Sequence, residues 1–290
     1  MTRPVQFLLV PYDSGHREWR MGRGPSFLLR HGAGSAIRAL GHEVDAEYIE
    51  PSGVHSPNPP TPTEIATSFS LYREVASRVR TVREAGALPI VLGGNCGVTL
   101  GAVAGDGSDV AVLWLDAHGD FNTPDTTRSG FLDGMSLAIL TGRCWRELAA
   151  SIPGFAPVPD ANVILAGARD LDPAEDLLLK ESAMTVVQGP AIRAAGVMGA
   201  IGAALERLAS RAGRLHFHLD ADVLDATEVR ANMFAAAGGL TIPELAQVAR
   251  LAAARFEIVS VAVTAYDPAI DTTASVPGAI GAALEALVAR

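Results

Sequence analysis

The sequence predicts an α/β protein in which helices cover both faces of a mostly parallel β-sheet. Short, near-continuous apolar runs recur along the chain, and segments with helical apolar periodicity separate them. Strands of a parallel sheet are buried on both faces, so they lack the regular apolar–polar alternation of a half-exposed sheet. Alternation of strand and helix favours parallel pairing through helical crossovers. The 290 residues, 49% of them hydrophobic, suffice for a large core, and we expect one domain over residues 1–290.

The strands are predicted at the apolar runs. The run at residues 42–49 alternates enough for a short strand, and the run at 89–92 ends in two glycines. In chain order, the predicted strands are residues Val5–Val10, 42–49, 89–92, 110–115, 162–166, Thr185–Val187, 215–219 and 258–264.

The helices are predicted between these runs. Residues 16–25 form a Gly/Arg-rich loop, and residues 51–62 form a Pro-rich surface loop. Thr63 and Glu64 then start a long helix to about residue 85, because a Thr at a helix N-terminus can cap free backbone amides. Further helices are predicted at residues 26–40, 98–104, 134–141, 191–212 and 242–254, from residue 278 onwards, and after the strand at 162–166.

Composition and charge exclude several classes of protein. The formal net charge is −9 and no Lys/Arg-rich block is present, so we expect neither nucleic acid nor an anionic membrane as a partner. The two cysteines cannot form a disulfide framework. No secretory signal and no run of eighteen apolar residues is evident. These observations favour a cytoplasmic protein.

Two carboxylate clusters follow predicted strands. Asp116, His118 and Asp120 come directly after the run at 110–115, and Asp220 and Asp222 come after the run at 215–219. Alternate residues of a strand point to the same side, and ligands of parallel sheets bind at the carboxyl ends of the strands. Together the clusters predict a divalent metal site. The competing interpretation is a loop cluster or helix cap that binds no metal.

Three segments resemble the signature blocks of the ureohydrolase family, which includes arginases, agmatinases and formiminoglutamases. They are Gly-Gly-Asn-Cys at residues 93–96, Asp-Ala-His-Gly-Asp at 116–120 and Asp-Ala-Asp-Val-Leu-Asp at 220–225. Gly-Arg-Gly-Pro at 22–25 and Gly-Gly-Leu-Thr at 238–241 are similar to two further family segments. The resemblance spans most of the chain in the family's order. It implies a three-layer α/β/α fold with a central, mostly parallel eight-stranded sheet.

The resemblance also implies a dinuclear manganese centre with a bridging hydroxide. Asp116 and Asp220 match the carboxylates that bridge the two ions, and His118 and Asp222 match the remaining ligands of one ion. Asp120 matches a ligand of the other ion that also orients the hydroxide. Paired cations lower the pKa of shared water and supply a nucleophile near neutral pH.

Three positions depart from the family pattern. Cys96 stands where a histidine is expected that binds the same ion as Asp120, so the site of that ion is altered, weakly occupied or empty. Cys96 is either a ligand or a small buried hydrophobe. Asp133 stands at the position of a proton-shuttling histidine; it is either an acid–base group, an exposed loop acid or a helix N-cap. Ala265 replaces a glutamate that grips the guanidinium group, and Asp267 is the nearest carboxylate that could take over.

The segments that would grip the substrate are similar to those of arginases. Asn122 and Ser129 match residues that hold the α-carboxylate of an amino acid, and Asp172 matches one that binds the α-ammonium group. The resemblance therefore implies a manganese-dependent hydrolase of non-peptide C–N bonds in linear amidines, acting on arginine or a relative such as Nω-hydroxy-arginine, in a homotrimer or homohexamer. The alternatives are a catalytically silent metal-binding homologue and an amidino or formimino hydrolase. One or both of His216 and His218 are interpreted as structural.

Overall fold

A sheet of eight parallel strands runs through the centre of the computed structural model, which describes residues 2–53, 63–107 and 109–289. The strands lie in the spatial order β4-β1-β5-β10-β9-β6-β7-β8. A short antiparallel ribbon of β2 and β3 lies outside the sheet, in part within the loop predicted at residues 16–25. The strands are β1 Val5–Val10, β2 Tyr12–Asp13, β3 His16–Arg17, β4 Val44–Tyr48, β5 Leu88–Gly93, β6 Ala111–Leu115, β7 Val163–Ala166, β8 Thr185–Val187, β9 Arg214–Asp220 and β10 Glu257–Thr264.

Helices cover both faces of the sheet, and two separate apolar clusters fill the space beneath them. Alternate residues of one strand enter opposite clusters: Leu113 of β6 faces one cluster and Trp114 the other. Helices α1, α2 and α8–α11 pack on the first side, and α3–α7 on the second. The predicted three-layer α/β/α fold is confirmed. The α-helices are α1 Gly24–Leu28, α2 Gly34–Ala39, α3 Thr63–Glu84, α4 Val98–Asp106, α5 Ser136–Leu140, α6 Arg146–Ala150, α7 Pro173–Glu181, α8 Gly189–Val197, α9 Ala203–Ala209, α10 Ile242–Arg255 and α11 Val276–Val288.

Two helices predicted as continuous are interrupted. The segment at 26–40 contains a π-helical turn, Leu29–Ala33, between α1 and α2. The segment at 191–212 divides into α8, a π-helical turn at Met198–Gly202, and α9. Gly196 has a φ of +69°, a conformation that glycine adopts without steric cost, so the regular helix breaks there.

One further prediction differs at the end of an element. Helix α11 begins at Val276 rather than at residue 278, because Pro277 occupies the first turn, where a missing backbone N–H costs nothing. Residues 54–62 of the loop predicted at 51–62 lie outside the described residues. Among the described residues, no helix has the length and apolar character needed to cross a membrane.

The carboxyl ends of four central strands form the edge at which the site lies. Strands β5, β10, β9 and β6 are consecutive neighbours in the sheet. Leu115 pairs with Leu219, and Thr264 pairs with Asp220. The residues that follow these pairs therefore emerge side by side.

Candidate metal centre and active site

The register of β6 and β9 brings the two predicted carboxylate clusters together. Asp116 directly follows β6 and Asp220 ends β9, and Leu115 and Leu219 pair immediately before them. Their side chains are almost fully buried, with Asp116 at 1% and Asp220 at 3% exposure. The structure thus places together Asp116, His118, Asp120, Asp220, Asp222 and Cys96, the six residues predicted as metal ligands.

Backbone amides hold these carboxylates in fixed orientations. The amide of His118 donates to Asp116 Oδ1 at 2.8 Å, and the amide of Asp222 donates to Asp220 Oδ1 at 2.8 Å. A third bond crosses between the clusters, from the amide of Ala117 to Asp222 Oδ1 at 3.2 Å. Each carboxylate keeps lone pairs that could bind a cation.

One cation position is defined by Asp116, His118 and Asp222, whose ligand atoms all lie within 4.8 Å of one another. His118 Nδ1 is 3.2 Å from Asp116 Oδ1 and 3.5 Å from Asp222 Oδ2. Burial lowers the pKa of His118, but the charges of Asp222 and Asp116 outweigh it and hold that pKa at about 10. The cluster thus favours positive charge at this point.

Asp120 and Cys96 line the same cavity and belong to the second predicted cation position. The Sγ–H of Cys96 donates to Asp220 Oδ2 at 3.0 Å, and Sγ lies 3.3 Å from Thr264 Oγ1. Burial, together with the charges of Asp220 and other nearby carboxylates, raises the pKa of Cys96. Asp120 adopts a φ of +48°, a left-handed conformation that costs a non-glycine residue about 1 kcal/mol. Such strain is often found at functional sites.

The donor set fits divalent cations. Asp120 Oδ2 is buried and has no hydrogen-bond partner among the described residues. Burial raises the pKa of Asp116, Asp120 and Asp220, and repulsion from neighbouring carboxylates raises each further. A cation would remove this repulsion and give Asp120 Oδ2 a partner. Carboxylate oxygens with one imidazole suit a hard or borderline ion such as Mn²⁺.

Asp133 is buried beside the cation positions, on a 3-10 turn at Asp133–Met135. Its carboxylate accepts from Asn95 Nδ2 at 2.9 Å, from the Gly97 amide at 3.1 Å and from Ser136 Oγ at 3.2 Å. Burial raises the pKa of Asp133 to about 6, although these donors oppose the shift. Asp133 is therefore not the exposed loop acid considered as an alternative.

A cavity of about 200 Å³ opens onto this cluster. Asn122 and Asp172 line it, with Asn122 Nδ2 3.4 Å from Asp172 Oδ2. Ser129 and Asp267 are not among its lining residues. Ser129 is exposed and its Oγ accepts from the Phe131 amide, while Asp267 Oδ1 accepts from the Ala269 amide. The structure therefore does not bring these two residues to the cavity.

The sequence analysis did not identify several residues that support the predicted metal ligands. Asn232 Nδ2 donates to Asp222 Oδ2 at 3.1 Å, and Trp114 Nε1 donates to Asp116 Oδ2 at 3.1 Å. Glu175 accepts from the Phe121 amide at 2.8 Å and packs against the backbone of Gly119, directly before Asp120. One signal existed for Glu175: it lies three residues after Asp172, the spacing of a helix capping box, which the structure contains.

Comparison with known proteins agrees with this geometry. The model of the arginase family matches residues 3–288. The chain belongs to the arginase family. It is 32% identical over 249 residues to the arginase of Brucella melitensis, covering 82% of this chain and 81% of that one. It is 29% identical over 249 residues to the arginase of Bacillus subtilis, covering 84% and 83%.

The fold is also similar to that of a solved arginase structure. The solved structure of arginase from Bacillus caldovelox superposes with a TM-score of 0.89, at 24% identity, over 99% of this chain and 98% of that one. Membership of the family makes this protein a hydrolase of C–N bonds in linear amidines.

Proposed function

We propose that this protein hydrolyses a guanidino C–N bond of arginine or a close derivative such as Nω-hydroxy-arginine. The products are ornithine and urea, or a substituted urea. One observation carries the proposal: the carboxyl ends of β6 and β9 meet at a buried carboxylate–imidazole cluster that faces a cavity lined by Asn122 and Asp172. The arginases among the relatives support the same reaction.

We assign manganese to the cluster. His118 and Asp222 would hold one ion and Asp120 and Cys96 the other, and Asp116 and Asp220 would contribute further carboxylate oxygens. When bound, the ions would lower the pKa of shared water and so supply a nucleophile near neutral pH. The mostly oxygen ligand set supports this choice of ion.

Two carboxylates have catalytic roles in this proposal. Asp120 Oδ2, which has no protein donor among the described residues, accepts a hydrogen bond from the attacking water and orients it toward the guanidino carbon. Asp133 then takes a proton and passes it to the departing amine. Its pKa of about 6 supports this role, because a proton carrier works best when its pKa lies near the operating pH.

The cavity suits a cationic amino acid. Asp172 faces the α-ammonium group, and Asn122 donates to the α-carboxylate through Nδ2. Ala265 lines the cavity where the family resemblance places a glutamate. A small side chain leaves room for a substituted guanidine, which favours Nω-hydroxy-arginine alongside arginine. The contacts predicted for Ser129 and Asp267 stay predictions, since each side chain would have to leave its present turn.

Product analysis tests the proposal. The manganese-loaded protein is incubated with L-arginine, Nω-hydroxy-arginine, agmatine or formiminoglutamate, and urea and amine release are measured. We expect release from the first two and little from agmatine, which lacks the α-carboxylate. An Asp222→Ala variant, which lacks one metal ligand, provides the matched control and should release neither product. No release from any compound would favour the catalytically silent alternative, and release from formiminoglutamate alone would favour the formimino hydrolase.

We further propose that the chain acts as one ureohydrolase-like domain in a cytoplasmic homo-oligomer. The match of the family model to residues 3–288 supports a single functional unit. Light scattering of the purified protein tests the assembly: a trimer or hexamer is expected, and a monomer at working concentration would contradict it.

A further inference from the structure

We propose that the chain compensates for the missing histidine at position 96 with a different one: Cys96, Asp116 and His218 together bind the cation beside Asp120. This site prefers a softer ion than the neighbouring site at His118 and Asp222. The proposal refines the metal centre of the proposed function, but it concerns metal binding and not the substrate.

The three side chains already lie close together. Cys96, Asp116 and His218 each offer a ligand atom, and these atoms all lie within 4.8 Å of one another. Cys96 is 2% exposed, Asp116 is 1% exposed and His218 is fully buried. A tetrahedral zinc site, with bonds of about 2.0–2.3 Å, needs ligand atoms roughly 3.3–3.7 Å apart. Side-chain movements on the order of 1 Å therefore close the site.

His218 has one ring nitrogen to offer. Its Nδ1 lies 2.7 Å from Thr99 Oγ1, while its buried Nε2 has no hydrogen-bond partner among the described residues. An imidazole that donates from Nδ1 to the Thr99 hydroxyl keeps the Nε2 lone pair free for a metal. Ligating histidines usually hold their second nitrogen in such a bond. His216 also has a buried Nε2 without a partner among the described residues, but only His218 belongs to a group of candidate metal ligands there.

The ring is held in place by Trp114. The two rings stack with centroids 3.7 Å apart and planes at 21°, and Trp114 Nε1 donates to Asp116 Oδ2 at 3.1 Å. Trp114 therefore fixes both His218 and Asp116, and packing restricts the rotamers of both ligands. A ligand geometry that is fixed before binding loses little entropy when the ion arrives.

The donor chemistry sets the kind of ion. Thiolate and imidazole with a single carboxylate favour Zn²⁺ or Co²⁺ over Mn²⁺, which prefers oxygen. Cys96 binds as the thiolate, so the proton that Sγ now donates to Asp220 is released to solvent on binding. The neighbouring position at His118 and Asp222 has no sulfur ligand and retains the preference for a harder ion.

Cobalt titration tests the site, because Co²⁺ bound to a thiolate has a charge-transfer absorption band that oxygen-bound Co²⁺ lacks. The wild type should show the band. Cys96→Ser should lose it, and His218→Asn should weaken Co²⁺ binding at that site by at least about tenfold. Asn keeps a polar atom near the position of Nδ1, facing Thr99, while removing Nε2. Cys144→Ser is the matched control and should leave the band unchanged.

X-ray absorption spectroscopy provides a second readout that leaves His218 intact. A His118→Ala variant, loaded with one equivalent of Zn²⁺, should show sulfur and imidazole in the same coordination shell. Sulfur without imidazole, or a wild-type band and affinity in a folded His218→Asn variant, would overturn the proposal. Neither readout requires turnover. A failure to hydrolyse guanidines would therefore count against the proposed function but not against this metal site.

Discussion

The thiol of Cys96 donates a hydrogen bond to Asp220 Oδ2 across 3.0 Å. This contact joins the loop after β5 to the end of β9, at the proposed metal position where Cys96 replaces the histidine expected from the family resemblance. The two cation positions consequently differ in chemistry: one is built from carboxylates and His118, and the other includes sulfur. We therefore expect the two proposed positions to differ in metal affinity.

Loss of His118 or Asp222 should remove one ion and the activity. His118→Ala and Asp222→Ala each delete a ligand of the same position, whose atoms lie within 4.8 Å of one another. Elemental analysis should show one ion fewer per chain than in the wild type, and amine release should fall to background. His16→Ala, which changes an exposed loop histidine, is the control. Full metal content with full activity in the Asp222 variant would refute the assigned ligand set.

Replacement of Asp133 by Asn should slow turnover without weakening substrate binding. General acid–base groups contribute on the order of 10²–10⁴-fold, so we expect kcat to fall by at least about 100-fold at constant KM. In the wild type, kcat should rise as the pH passes through about 6, where Asp133 loses its proton. That limb of the kcat profile should be missing from Asp133→Asn. A variant with the wild-type profile would show that another group carries the proton.

Two substitutions separate the predicted substrate contacts. Asp172→Asn keeps the polar cap of α7 but removes the charge that faces the α-ammonium group, so KM should rise on the order of tenfold, or about 1.4 kcal/mol. Ser129→Ala should change KM by less than about twofold, because Ser129 is exposed and its Oγ is engaged in a local turn. Steady-state kinetics with arginine test both. A large rise in KM for Ser129→Ala would mean that its loop closes over the substrate.

The metal-free protein should be more stable at pH 5 than at pH 7. Burial raises the pKa of Asp133 to about 6, so the folded state holds a proton that the unfolded chain releases near its ordinary pKa of about 3.9. Stability from this group is complete below about pH 4 and is lost as the pH rises through 6, at a cost of about 1 kcal/mol between pH 5 and 7. The pKa values of Asp116, Asp120 and Asp220 are also raised, which acts in the same direction. These carboxylates outnumber the opposing group, His218, whose pKa is lowered by burial.

Thermal unfolding of chelator-treated protein at the two pH values measures this effect. Addition of Mn²⁺ at pH 7 should raise Tm, since the ion binds the folded state alone. A metal-free Tm that increases from pH 5 to 7 would contradict the buried, mutually repelling carboxylates.

Local sequence patterns predicted most of the fold. The sequence patterns predicted all eight strands of the sheet to within about two residues. Most were predicted as apolar runs, because a parallel strand buried on both faces favours β-branched, apolar residues, whereas the largely exposed β4 was predicted from its alternation. Interruptions within helices were not predicted. The break near the end of α8 depends on the backbone conformation of Gly196. A single glycine inside an apolar helical pattern does not by itself predict a break.

The candidate site could be predicted where strand topology alone brings residues together. Asp116 and Asp220 follow strands that pair, so their meeting followed from the topology. The interpretation of His218 as structural rests on its sequence context alone. Its contact with Thr99 and its stacking on Trp114 arise from the packing of α4 and β6 against β9, which the sequence does not show. Asp267 was chosen for its nearness in sequence to Ala265. Its carboxylate accepts from the Ala269 amide in its own turn, and its contact with the substrate stays a prediction.

Isotope incorporation tests the central claim most directly. The manganese-loaded protein is incubated with L-arginine or Nω-hydroxy-arginine in ¹⁸O-labelled water, and the products are examined by mass spectrometry. Attack of water on the guanidino carbon predicts one ¹⁸O in the urea or hydroxyurea and none in the amino acid product. Absence of labelled urea and hydroxyurea from both substrates, with the metal confirmed in place, would contradict the proposed reaction.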